Sequence, residues 1–336
     1  MSLFADLGGP GGYVLLLVLT FAAHALLVGF VLGAAAWATA RALVGGDDPV
    51  AAAARDWLPF ALGAAITAGV APLLLIQVLY QHRVYTATLL MSHRFMAIVP
   101  ALIAGFYLLY LGKSVRAQAW SRARRGLVSG AALLAFLFVA WSWIEEHTLA
   151  AAGAETWVAH YRDGRVVHRD PVIAVRLALW LGLAAVAFAT GAAWLAAARA
   201  GRGELRRLGG LGLTGLAVAA AAAVGTVGGR AGELPAMATP WLVLAGSGAA
   251  VTAAGMVALA GGRGRAGRRL VTVGAVALFL AVAALREVDR AHAIEWRATL
   301  DGAQGLPLFV VFLLLATGAI AWCARLVRRH LDERAG

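Results

Sequence analysis

"VLTFAAHALLVGFVLGAAAWATA", Val18–Ala40, decides the fold. It carries no Asp, Glu, Lys or Arg, and its one ionisable side chain is His24. A helix rises about 1.5 Å per residue, so about 20 apolar residues cross a hydrocarbon core of about 30 Å. In such a core the backbone must satisfy its own N–H and C=O groups, which makes this stretch a helix. No basic residue precedes it and its apolar run is long, so it reads as a retained span rather than a cleaved signal peptide.

The same pattern recurs along the 336 residues, of which 62% are hydrophobic, with mean hydropathy +0.80. Hydropathy predicts nine spans, near 13–39, 58–81, 95–112, 127–144, 172–198, 209–228, 237–260, 269–286 and 305–325. The expected fold is an all-α polytopic transmembrane bundle forming a single integral membrane domain over 1–336. Residues 1–175 hold most of the polar detail. Residues 205–285 are rich in small residues suited to close helix packing, the Gly225–Gly229 pair among them.

The net charge of +12 does not point to nucleic acid, because the basic residues sit in short clusters between apolar runs. If the N-terminus lies outside, 19 of the 29 Lys and Arg residues fall inside, which the positive-inside rule favours. The C-terminus is then inside, the basic clusters meet anionic lipid, and the expected location is a bacterial inner membrane. Six of eight histidines (82, 93, 147, 160, 168 and 292) and 11 of 17 acids then lie outside. That balance predicts a periplasmic redox partner such as a basic c-type cytochrome, docking around residues 145–170 and 287–301. Cys323 is alone, and no C-x-x-C-H motif is present for covalent haem attachment.

His24 is the sharpest single residue. It lies about 16 Å into its span, where a polar ring needs a partner. It can ligate haem iron, relay a proton or hydrogen-bond a neighbouring helix. The second signal is "GVAPLLLIQVLYQHRVYTATLLMSHRF", Gly69–Phe95. Gln77, Tyr80 and Gln81 have the spacing of one helix face. Tyr85, Thr86 and Thr88 are expected in an outer turn, with His82 and His93 beside it. Such a hairpin suits a haem edge or a quinone headgroup, with Arg83 or Arg94 pairing propionates and His93 as a further candidate iron ligand. The stretch after span four, with Glu145, Glu146, His147, His160, Asp163, His168 and Asp170, reads as a wet loop with an interfacial helix. At the end of span eight, Arg286 and Arg290 share a face and Glu287 can pair with Arg290. This cluster holds cofactor carboxylates or forms a solvated ion-pair network.

His24 followed by "LLVGFVLG", together with "GVAPLLLIQVLYQHRVYTA" and "LREVDR", resembles cytochrome bd-type oxidase subunit I and looser bd-like bacterial membrane proteins. The likeness covers about half the chain in patches. It implies a respiratory electron-transfer protein with b-type haem ligated by His24, and a quinone as possible substrate. Span five offers Arg176 where the family places a histidine, and the G-R-Q-P-W signature and the long quinol-binding loop are absent. A membrane scaffold subunit of a redox complex and a small-solute or ion transporter are the other readings.

Overall fold

The computed structural model describes residues 10–45, 48–197, 200–227, 236–293 and 306–333, and among these the chain is all-helical. Helices α1 (Pro10–Val44), α2 (Pro49–Leu79), α3 (Gln81–Met96), α4 (Ile98–Lys113), α5 (Val115–Gln118) and α6 (Arg122–Ala151) come first. They are followed by α7 (Ala154–Arg162), α8 (Pro171–Leu195), α9 (Arg202–Val227), α10 (Thr239–Ala260), α11 (Gly264–Ala293) and α12 (Leu306–Glu333). Among the described residues nine helical segments are long and apolar enough to cross a membrane, as expected from hydropathy. Local chemistry starts several of them. Asp48 caps α2 by accepting from the Val50 and Ala51 N–H groups, with Pro49 at the first helical position; Asp170 and Pro171 repeat the device at α8.

Helix α1 is central, packing against α2, α6, α8 and α11. Its apolar side meets α8 through Phe30 and Trp37, whose rings lie 5.8 and 5.9 Å from that of Phe188. Small residues permit the closest crossings. A Cβ at Gly182 of α8 would come within 2.6 Å of the Gly215 carbonyl of α9, so only glycine allows that approach. Of the Gly225–Gly229 pair, Gly225 packs closely, since a Cβ there would lie 3.3 Å from Val175 Cγ1 of α8, and Gly229 lies outside the described residues. Helix α12 touches α2 and leaves most of its apolar side chains, Phe312, Leu314 and Trp322 included, exposed.

The outer hairpin expected at 82–94 is instead a helix. α2 ends at Tyr80, whose ψ of 32° breaks the helical run, and α3 starts at the next residue. Val84, Ala87 and Met91 follow helical spacing and are buried, Ala87 and Met91 against Leu149, Ala150 and Trp157 and Val84 in the cluster of Tyr13, Leu17, Leu75, Ile76 and Tyr80. Tyr85, Thr86 and Thr88 are therefore helical residues. Thr86 and Thr88 donate to the carbonyls of His82 and Tyr85 within the same helix. Ser92 interrupts α3 with φ 49° and ψ −129°, a conformation costly for a residue with a Cβ.

Candidate functional site

The polar groups gather at one end of the bundle, where α1 and α8 begin and α2, α6 and α11 end. Glu145, Glu146 and Glu287 are at most 1% exposed and Arg290 8%. Buried charge is tolerated only when paired and hydrogen-bonded, and each of these groups has at least one such partner.

Glu287 is the hub of the deeper cluster. Tyr80 donates its hydroxyl to Glu287 Oε2 at 2.9 Å, Arg286 Nη2 approaches Oε1 at 2.9 Å, and Arg290 Nη1 lies 3.4 Å from Oε1. The Arg286 guanidinium sits 3.5 Å over the Phe21 ring and that of Arg290 4.8 Å over the Tyr80 ring. Each cation thus has a carboxylate on one side and an aromatic face on another. One turn along α1 from Phe21, His24 places Nδ1 2.9 Å from the Ala65 carbonyl of α2. A carbonyl only accepts, so Nδ1 carries the proton and Nε2 keeps its lone pair. Gly69 makes room for the ring, since a Cβ there would lie 2.7 Å from the imidazole. Arg286 is within electrostatic reach of His24.

A second cluster lies nearer the rim. Glu145 Oε2 pairs with Arg94 and accepts from Trp141 Nε1 at 2.7 Å, while Oε1 accepts the His168 backbone N–H at 2.6 Å. Arg83 donates to the carbonyls of Ala150 and Ala152 at 3.4 and 3.1 Å, closing the C-terminus of α6, where the helix dipole favours a cation. Arg176 donates to Thr148 Oγ1 at 3.1 Å and pairs with Asp289 at 3.4 Å. His160 of α7 is 2% exposed. Burial, then the neighbouring His168, hold its imidazole below the usual histidine range.

The structure thus joins His24, Tyr80, Arg286 and Arg290 and separates the other expected members. Gln77 is half-buried in α2, and Gln81 is exposed while Tyr80 is buried, so the helix break divides that expected face. His82 and His93 are exposed on α3, which packs on α6 and α7. No group of three metal-ligating side chains occurs among the described residues. Arg83 and Arg94 are committed to carbonyls and to Glu145 rather than offered to propionates. The wet-loop reading of residues 145–170 needs correction at its start. α6 runs on to Ala151 and takes Glu145 and Glu146 into the interior, while α7 is the expected short helix. The solvated network expected at 286–290 is buried. The acids counted toward a docking face are also engaged. Asp163 pairs with Arg165, Asp170 caps α8 and Asp289 pairs with Arg176; Glu155 is exposed, as are Arg162, Arg165 and Arg169. Residues 294–305 and the His292 side chain lie outside the described residues.

Glu146, Glu287 and Phe21 complete the site. Glu287 was legible as a partner of Arg290, but the stacking of Phe21 on Arg286 links residues more than 260 positions apart and has no local signal. No family model, curated protein or solved structure matches the chain.

Proposed function

We propose that the chain is a bacterial inner-membrane respiratory electron-transfer subunit of the cytochrome bd subunit I-like kind, with its N-terminus and the histidine-rich face on the periplasmic side. The observation that carries the reading is the state of His24. Its Nδ1 proton is fixed on a backbone carbonyl, leaving Nε2 as a free lone pair inside an apolar helix bundle. That is how proteins orient histidines that ligate a metal through the other ring nitrogen. The fit to a b-type haem is limited to this end of the site. His24 is the candidate ligand, Gly69 supplies clearance for its ring, and Arg286 and Arg290, though paired with Glu287, would hold cationic charge toward an anionic edge. His82, His93 and Arg94 do not fit the roles expected of them. When bound, the haem supplies one-electron chemistry. The chain's own residues orient the imidazole, hold cationic charge beside it and exclude water through Phe21 and Trp180, whose rings meet edge-on at 5.5 Å.

A pyridine haemochrome spectrum of the purified protein tests this reading. The expected result is a b-type signal that His24→Ala abolishes and His93→Ala leaves intact. A wild-type protein without haem, or a His24→Ala variant with an unchanged spectrum, overturns it.

A further inference from the structure

Glu146 and His147 are consecutive residues near the end of α6, and adjacent helical positions ordinarily face different ways. Here His147 Nδ1 lies 2.6 Å from Glu146 Oε2. The Glu146 side chain is 1% exposed and that of His147 18%, so the pair spans the boundary between interior and rim. Trp143 holds the imidazole edge-on at 5.8 Å and is itself backed by Phe95 at 5.1 Å. The other carboxylate oxygen, Glu146 Oε1, is buried and has no hydrogen-bond partner among the described residues. Buried carboxylate oxygens are rarely left bare, which argues against a purely structural pair. Arg286 and Arg290 of α11 face the dyad, with Glu287 and Tyr80 bonded to them in turn. With His147 neutral this set holds two guanidiniums and two carboxylates and is electrically balanced.

We infer that Glu146 and His147 form a proton-exchange dyad serving the buried Tyr80–Glu287 cluster. The carboxylate accepts Nδ1–H and so turns the Nε2 lone pair toward a donor, the geometry of a carboxylate-oriented base. A hydronium ion at the rim transfers one proton to Nε2 and leaves as water, and the resulting imidazolium is held against the carboxylate. Shift of the Nδ1 proton onto Oε2 gives a neutral acid and a neutral imidazole protonated at Nε2. In both forms the dyad's charge rises from −1 to 0, and one proton has entered. The dyad stands without haem; its use, balancing an electron delivered to the interior, rests on the reading above.

The test uses full-length protein in lipid nanodiscs with nitrogen-15-labelled histidine. The His147 imidazole resonance is followed by NMR between about pH 5 and about pH 9, and infrared difference spectra are taken across the same range. The wild type should show His147 titrating together with a pH-dependent carboxyl band. Glu146→Gln should remove the band and change the titration. His147→Gln, a second variant in case the first fails to fold, should remove the band while Glu146 remains. A His147 that stays in one protonation state in the wild type overturns the proposal, as does an unchanged titration in Glu146→Gln or an unchanged band in His147→Gln. None of these readouts depends on haem. A missing haemochrome signal with an intact titration removes the electron-transfer reading alone, and the reverse pattern removes the dyad alone.

Discussion

Glu287 is the residue on which most of the buried charge turns. It accepts from Tyr80 and faces two guanidiniums, so deleting it leaves both cations without their shared carboxylate. Breaking a buried pair from one side costs about 3–5 kcal/mol, far more than the pair itself contributes. Glu287→Ala should therefore lower stability by roughly that amount, or prevent folding. Tyr80→Phe, which keeps the ring under Arg290 and removes one donor, should cost about 1–3 kcal/mol. Detergent-resistant melting followed by helical circular dichroism separates the two. Equal effects would show that the Tyr80 hydroxyl matters as much as the carboxylate and would refute the hub assignment. Glu287 is six residues from the end of the α11 helix, and its pairing with Arg290 was readable from i, i+3 spacing. The Phe21 and Tyr80 faces were not, because they come from other helices.

At the scale of elements, α3 and α7 are where local patterning and tertiary structure diverge. Polar residues at 77–94 suggest a turn when read as composition. Read at a period of 3.6, Val84, Ala87 and Met91 form a narrow apolar stripe whose Ala87 and Met91 pack on α6 and whose Val84 packs with residues of α1 and α2. The positive φ of Ser92 costs a non-glycine residue about 1–3 kcal/mol, and glycine tolerates positive φ readily. Ser92→Gly is expected to raise the melting temperature, and Ser92→Val to lower it; the opposite order would mean that the break at Ser92 is not held against strain. The α7 segment is tied down differently, through His160. Its imidazole sits below the usual histidine range because of burial first and His168 next. Arg165 adds to the effect, while Glu145 and the Leu90 backbone oppose it. The unfolded state then binds the proton more readily. The stability contributed by neutral His160 is complete above about pH 6.5 and declines as pH falls below that value toward the folded-state pKa. Hydrogen exchange over residues 154–170, corrected for intrinsic rate, should accelerate on mild acidification in the wild type and respond less in His160→Gln. An acid response of the same size in both would rule out His160 as its source.

For the whole molecule, the issue is which side of the membrane each end of the bundle faces. The histidine-bearing end of the bundle is opposite the helix ends carrying Lys113, Arg206, Arg207, Arg268 and Arg269. The basic bias of those helix ends predicts that they face the cytoplasm. Reporter fusions after Lys113, Arg207 and Arg269 should all give cytoplasmic signals, and a periplasmic signal at any one would invert the assignment. On the opposite face, the acids expected to attract a basic cytochrome are largely engaged within the protein, while Arg162, Arg165 and Arg169 are exposed. Salt-sensitive docking of a basic partner through residues 145–170 is thus not what this surface favours.

The amino-acid sequence by itself determined the helical architecture, in which nine segments among the described residues are long and apolar enough to cross a membrane, since a hydrocarbon core demands that each crossing segment satisfy its own backbone groups. It also singled out His24, because an ionisable ring within an otherwise uncharged apolar run stands out without knowledge of its neighbours. The partners of that ring were decided only by tertiary structure. The Ala65 carbonyl, the Gly69 clearance and the Arg286 charge come from α2 and α11, helices whose rotation about their own axes is not encoded in hydropathy. The same holds for the acids. Composition places Glu145, Glu146 and Glu287 near a helix end, where water and protein interior are separated by about one turn. Which side Glu145 and Glu287 take depends on partners from elsewhere in the bundle, Arg94 of α3 for Glu145 and the Tyr80 hydroxyl for Glu287, and those contacts exist only once the bundle has packed.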